Sequence, residues 1–113
     1  MVTIYHNPRC SKSRETLALL TARGIEPDVV LYLQTPPDHE TLQILLQKLG
    51  MQSARELMRT KEAIYSELAL DDKGESALLD ALVENPVLIE RPIVINGDKA
   101  RIGRPPDAVL DIL

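Results

Sequence analysis

The chain has 113 residues, a formal net charge of −4 and 44% hydrophobic residues, so we expect a single globular domain with its own core. One cysteine excludes an internal disulfide and a zinc site built on several cysteines. The acidic balance gives no reason to expect nucleic-acid binding. No signal-peptide pattern and no membrane-length apolar run occurs, so we expect a cytoplasmic protein.

The first third of the chain predicts a strand, a helix and a second strand. Residues 2–5 favour a strand, and a helix is predicted to begin at residues 11–13, where a serine can cap its first turn. Gly24 suits the end of this helix. Residues 28–33 are almost continuously apolar, which predicts an internal strand rather than an edge strand. The pattern is typical of a parallel βαβ unit with a right-handed crossover.

The middle of the chain, from about residue 38 to residue 84, predicts a helical insert. Leucines between Leu42 and Leu49 recur at helical spacing, and Gly50 follows them. Ser53 and Glu56 match a capping box, which predicts a short helix. Further helices are predicted from about residue 60 and over residues 75–84. In the last of these, the residues expected to face inward are Leu78, Leu79, Leu82 and Val83.

The last quarter returns to strands. Residues 93–95 and 99–102 flank Asn96-Gly97, which predicts a hairpin because this dipeptide suits a tight turn. Residues 103–106 end the second strand, and a short helix is predicted over 107–113. The element order therefore predicts an α/β fold with a four-stranded mixed sheet: βαβ, a helical insert, then ββα.

Cys10 lies where the first predicted strand gives way to the first helix. The unpaired N–H groups and the positive dipole end of a helix favour a thiolate there. Residues 1–14 contain Arg9, Lys12, Arg14 and His6 but no acid, although the whole chain is acidic. We therefore interpret Cys10 as a reactive thiolate beside an anion-binding cluster, rather than as a small buried apolar residue.

Two neighbours of Cys10 keep two interpretations each at this stage, and a third bears on its redox chemistry. Arg14 lies one helical turn beyond Cys10 and can face the same anion, or it is an ordinary surface arginine. His6 can lower the thiol pKa by charge or hydrogen bonding, or it is a polar residue at a strand end. Ser13 replaces the second cysteine of a Cys-x-x-Cys pair, so an oxidised Cys10 needs an external thiol.

Arg91 and Arg104 each precede a proline and flank the predicted hairpin. From spacing alone both are turn residues, because the residue before proline favours extended geometry. The Arg91-Pro92 bond is a candidate for the cis form. From its place in the sequence alone, Arg59 is interpreted as a surface arginine. The two histidines and the cysteine are too scattered to predict a metal site.

The segment from Ile4 to Arg14 resembles the active-site segment of the glutaredoxin-coupled arsenate reductase family. The resemblance continues in order through residues 30–33, 55–59, 90–94, 103–106 and 109–113, and so covers nearly the whole chain. Arg9 and residues 11–13 resemble the same segment in a subgroup of this family, whose members are assigned arsenate reduction by similarity. The resemblance implies a thioredoxin-like fold with a helical insert.

The resemblance also implies a mechanism, in which a cysteine attacks arsenate, glutathione attacks the resulting adduct and glutaredoxin resolves the mixed disulfide. Cys10 matches the nucleophile. The three oxyanion-binding arginines fall on Arg59, Arg91 and Arg104. The residues expected to stabilise the thiolate are His6, Ser13 and Arg14. No bound cofactor is implied, because glutathione acts as a co-substrate.

The basic cluster at Cys10 and the family resemblance together imply an oxidoreductase that reduces arsenate and has a small oxyanion and glutaredoxin as partners, and we expect it to act as a monomer. One alternative is a glutathione-dependent thiol transferase, which would turn over glutathionylated substrates without an oxyanion. Another is a non-catalytic regulator of the same fold that binds RNA polymerase. Such regulators sense oxidation through a cysteine pair, and Ser13 argues against that kind of sensing.

Overall fold

A four-stranded sheet is present in the computed structural model, which describes residues 1–113. The strands are β1 (Val2–Tyr5), β2 (Asp28–Val30), β3 (Ile93–Asn96) and β4 (Lys99–Ile102). They lie in the order β2-β1-β3-β4. β1 pairs parallel with β2 and antiparallel with β3, and β3 and β4 form an antiparallel hairpin. The predicted α/β class with a mixed sheet is therefore confirmed.

Four α-helices and four 3₁₀ helices accompany the sheet. The α-helices are α1 (Ser11–Ala22), α2 (His39–Leu49), α3 (Ala63–Glu67) and α4 (Glu75–Glu84). The 3₁₀ helices span Ala54–Leu57, Leu70–Asp72, Pro86–Leu88 and Pro106–Ile112. The chain divides into two compact units. The first comprises Met1–Thr35 with Arg91–Leu113, and the second comprises Pro36–Glu90.

The first unit holds the sheet, α1 and the last 3₁₀ helix. Its core cluster is formed by Ile4, Leu20, Val94, Val109 and Ile112. The last 3₁₀ helix contacts both α1 and β4, and the side-chain amide of Asn96 donates to the carbonyl of Ile112 at 2.6 Å. This packing holds β1 and α1 in place, and the loop between them carries Cys10.

The prediction that residues 28–33 form an internal strand was wrong. β2 has three residues and lies at the edge of the sheet, with Val29 46% exposed. The chain turns immediately afterwards, because the N–H groups of Gln34 and Thr35 both donate to the carbonyl of Leu31. Tyr32 is buried in this turn, where its ring stacks on Tyr5 with the centroids 6.5 Å apart. The apolar run therefore reflects packing of the turn as well as of the strand.

Two local boundaries also differ from the predictions. α1 begins at Ser11, but its N-cap is Cys10 rather than a serine. The hairpin turn comprises Gly97 and Asp98, since Asn96 pairs with Lys99 at the end of the strands. Gly97 has φ +64, which a tight turn of this kind requires and which glycine adopts without strain.

The second unit is helical, as the sequence predicted. α2 buries Leu42, Leu45 and Leu46, and Gly50 ends it in the left-handed conformation. The capping box at Ser53 is confirmed, although the helix that it begins is a 3₁₀ helix. In α4 the buried residues are Leu78, Leu79, Ala81 and Leu82. Val83 was predicted to face inward and is only half-buried, and Ala81 takes that place.

None of the helices combines the length and the apolar character needed to span a membrane.

Candidate active site

A short loop holds Cys10 at the start of α1. The N–H of Cys10 donates to the carbonyl of Asn7 at 3.0 Å, and the N–H of Arg9 donates to Asn7 Oδ1 at 3.0 Å. Arg14 reaches back from the first turn of α1, and its Nη1 donates to the carbonyl of Pro8 at 3.0 Å. Asn7-Pro8 therefore forms a turn, and Arg14 fixes this turn to the helix.

Cys10 occupies the N-cap of α1, a position where side-chain acceptors normally bind the first N–H groups of a helix. Its side chain makes no capping hydrogen bond of standard geometry. Burial raises the pKa of the Cys10 thiol, but the Ser13 N–H, the Arg91 charge, the Lys12 N–H and the Arg104 charge together outweigh it. The net result is a Cys10 pKa below its usual value, so the thiolate is favoured.

The two arginines that flank the hairpin lie close to Cys10. Arg104 Nη2 is 3.6 Å from Cys10 Sγ, and Arg104 Nε donates to the carbonyl of Arg91 at 2.8 Å. The charges of Arg91 and Arg104 both lower the Cys10 pKa. Both arginines precede cis-prolines, at the Arg91-Pro92 and Arg104-Pro105 bonds. From spacing alone, Arg91 and Arg104 were interpreted as turn residues. In the folded chain both act on Cys10, the only thiol of the chain.

His6 and Ser13 form a buried pair beside the nucleophile. His6 Nδ1 lies 2.6 Å from Ser13 Oγ, and the N–H of Asn7 donates to the same Oγ at 3.0 Å. Burial and the charge of Arg14 lower the pKa of His6, so His6 is neutral near pH 7. The Ser13 hydroxyl oxygen accepts from the Asn7 N–H and is also hydrogen bonded to His6 Nδ1, where the tautomer of His6 decides which of the two atoms donates.

This arrangement defines how His6 can act on Cys10. A neutral His6 supplies no positive charge to the thiolate, which leaves hydrogen bonding as its route. Its partner Ser13 is fully buried, and the backbone N–H of Ser13 favours the thiolate. His6 therefore contacts the hydroxyl of Ser13, whose backbone N–H lowers the pKa of Cys10, and stabilisation of the thiolate by His6 stays a prediction.

Arg59, the third arginine matched by resemblance, belongs to the second unit. Its guanidinium lies 3.2 Å from a carboxylate oxygen of Glu62 and 3.8 Å from one of Glu90. Its N–H donates to the carbonyl of Leu88 at 2.8 Å. Oxyanion binding by Arg59 stays a prediction.

No group of three or more His, Cys, Asp or Glu side chains is arranged to hold a metal ion.

Gly103 was interpreted from the sequence only as a strand breaker, but its contacts give it a further role. A Cβ at this position would lie 2.5 Å from Thr16 Oγ1 and 2.9 Å from Pro92 Cγ. The N–H of Gly103 donates to the carbonyl of Pro92 at 2.9 Å. The absence of a side chain lets the residue before Arg104 pack directly on α1. In the sequence, the one indication of this close packing is that Gly103 directly precedes the Arg-Pro-Pro run.

Arg104→Gln is expected to raise the pKa of the Cys10 thiol, because it removes a positive charge and a donor 3.6 Å from Sγ. The rate of alkylation by iodoacetamide against pH measures this pKa, and the lone cysteine makes the signal unambiguous. Arg101→Gln removes the same charge from β4 and is the control, since the Arg101 guanidinium donates to the carbonyl of Ala100. An unchanged or lower pKa in Arg104→Gln contradicts the assigned contact.

Comparisons with known proteins agree on one family. The family model described as "ArsC family" matches residues 5–112. An arsenate reductase of Haemophilus influenzae is 56% identical over 114 aligned residues, which cover 99% of this chain and 98% of the relative. A protein of Escherichia coli called "Uncharacterized protein YfgD" is 64% identical, with 99% and 96% covered. The structure of an arsenate reductase from Vibrio cholerae superposes with a TM-score of 0.97, at 55% identity and 99% and 97% coverage.

Proposed function

The chain belongs to the ArsC family, as its resemblance predicted, and on this basis we propose that it reduces arsenate to arsenite with Cys10 as the nucleophile. One observation carries the proposal. A thiol whose pKa is lowered lies 3.6 Å from a guanidinium, so a nucleophile and an anion-binding group share one position. A tetrahedral oxyanion that reacts with sulfur suits this pair.

In the first step of the proposed reaction, the Cys10 thiolate attacks As(V). An S–As bond forms, and one arsenate oxygen leaves as water after protonation. Arg91 and Arg104 bind the remaining oxygens, because guanidinium groups form paired hydrogen bonds with oxyanions. Arg59 is proposed as the third arginine through its match to the family motif. The N–H groups of Ser13 and Lys12 lower the pKa of Cys10 and so favour its thiolate before the attack.

The second step needs a thiol from outside the chain, because Cys10 is the only cysteine. We assign this role to glutathione. As its thiolate attacks the adduct, an S–S bond forms between the two sulfurs and the electron pair of the S–As bond remains on arsenic. Arsenic is thereby reduced to As(III) and leaves as arsenite. Glutaredoxin then exchanges the mixed disulfide and restores the Cys10 thiol. This chemistry belongs in the cytosol, where reduced glutathione is abundant.

A glutathione-dependent thiol transferase is the second function that this thiol supports. It would use the same lowered pKa and the same mixed disulfide, but no oxyanion. The contact of Arg104 with Cys10 and the charge of Arg91 favour arsenate reduction, since a thiol transferase has no need of two guanidinium charges that act on its sulfur.

The test is arsenite formation by the purified protein, measured directly by separating the two arsenic species. We expect arsenite only when arsenate, glutathione and glutaredoxin are all supplied. A parallel assay supplies a glutathionylated peptide without arsenate. If the protein releases glutathione from the peptide yet forms no more arsenite than a protein-free blank, the thiol transferase replaces the present proposal.

A further inference from the structure

A cleft of about 290 Å³ lies in the first unit, next to the loop that carries Cys10. One wall is formed by His6 and by residues 7–9 of that loop, and the other by Leu31, Leu33 and Gln34 from the turn after β2. Its volume is near the lower end of the range of roughly 300–1,000 Å³ found for small-molecule sites. A tripeptide fits such a volume, whereas a protein partner needs a much larger surface.

The cleft is lined neither by Arg91 and Arg104 nor by Cys10 itself, but its loop wall ends at Arg9, the residue directly before the nucleophile. The Cys10 N–H is hydrogen bonded to the carbonyl of Asn7, so the loop that forms one wall ends at the reacting residue. A second thiol must reach the Cys10 adduct while the arginines still hold the oxyanion. A cleft on the loop side provides room for it without displacing the arsenic group.

The chemistry of the walls favours an anionic ligand. No lining residue is acidic, although acids outnumber bases by 17 to 13 in the whole chain. Arg9 is exposed and supplies a guanidinium. Asn7 Oδ1 is already bound to the Arg9 N–H, which leaves the Asn7 amide N–H groups to donate. Leu33, which is 43% exposed, and Leu31 provide an apolar surface for the aliphatic parts of a ligand.

We propose that this cleft binds the thiol co-substrate, a small peptide thiol with free carboxylates, and that Arg9 binds one of those carboxylates. The inference rests on the proposed function, since it assigns a place to the thiol that attacks the Cys10 adduct. Arg9 is thus a specificity-determining residue for the second step. It has no part in binding the oxyanion, which the arginines beside Cys10 hold.

Binding alone tests the site without any turnover. S-Methylglutathione carries the same carboxylates but has no free thiol, so it binds without reacting. We expect it to shift the backbone amide NMR signals of residues 6, 7, 9 and 31–34, and we expect Arg9→Gln to weaken this binding roughly tenfold. Arg23→Gln removes an exposed arginine at the end of α1 and is the matched control. Shifts confined to other residues, or equal affinity in Arg9→Gln and wild type, overturn the proposal.

Kinetics separate this inference from the proposed function. With saturating glutaredoxin, Arg9→Gln is expected to raise KM for glutathione roughly tenfold while KM for arsenate stays unchanged. If arsenate is reduced and KM for glutathione does not change, the site is wrong and the function stands. If S-methylglutathione binds at the cleft but no arsenite forms, the function is wrong and the site stands. A rise only in KM for glutaredoxin assigns the cleft to a protein partner and overturns the proposal.

Discussion

Cys10→Ser is expected to abolish arsenate reduction, with a loss of at least about a thousandfold. A serine hydroxyl does not ionise near neutral pH, so the N–H groups and guanidinium charges that favour the Cys10 thiolate have no anion to stabilise. The serine oxygen also cannot form the S–S bond through which arsenic receives its electron pair. The measurement is the initial rate of arsenite formation with glutathione and glutaredoxin in excess.

The control for this prediction is Ser11→Ala. Ser11 is exposed and directly follows Cys10 as the first residue of α1, so it tests whether any change at the helix start reduces activity. We expect Ser11→Ala to keep at least half of the wild-type rate and both variants to unfold near the wild-type temperature. Because the chain has no other cysteine, arsenite formation by Cys10→Ser above the protein-free blank would exclude a protein thiol as the nucleophile.

The elements that the sequence predicted well depend on neighbouring residues. β1, the hairpin, α2 and α4 each follow from a short periodic pattern with a turn or cap residue beside it. The edge position of β2 depends instead on the order of strands in the sheet, which no local sequence pattern encodes. Val29 pairs with Ile4 on one side only, and the apolar run around it looked the same as that of an internal strand.

The residues of the candidate site divide in the same way, into those that neighbouring residues predict and those that only the fold brings together. Cys10 and its acid-free surroundings could be predicted, because strand end, helix start and local charge are all sequence-local. Arg104 could not, since 94 residues separate it from the sulfur that it contacts. Resemblance alone had assigned it to the site. The neutral state of His6 was equally hidden, because it follows from burial and from the charge of Arg14 in the folded chain.

Gly103 is a residue whose substitution we expect to reduce stability strongly. Gly103→Ala places a Cβ 2.5 Å from Thr16 Oγ1, and Thr16 is fully buried with its hydroxyl donating to the carbonyl of Lys12. Pro92, 2.9 Å away, is also buried, so neither neighbour can move without cost. We expect the free energy of unfolding to fall by about 3 kcal/mol, as for a severe overpacking change, measured by urea denaturation.

The same clash should reach the active site, because Gly103 directly precedes Arg104. Moving Arg104 away from Sγ raises the Cys10 pKa, which alkylation against pH detects and which a purely structural role would leave unchanged. Gly74→Ala is the control, since its added Cβ meets nothing within 4 Å and its φ is −85. We expect this control to change stability by less than about 1 kcal/mol.

A double mutant identifies Thr16 as the source of the clash. Thr16→Ala removes two of the three atoms that approach the added Cβ and leaves only Pro92 Cγ, so Gly103→Ala should cost less in that background than in wild type. Thr16→Ser keeps the oxygen at 2.5 Å and should rescue nothing. Strictly additive effects of Gly103→Ala and Thr16→Ala, or a Gly103→Ala protein as stable as Gly74→Ala, would contradict the close packing of Gly103 against Thr16, and an unchanged Cys10 pKa in Gly103→Ala would show that this packing does not position Arg104.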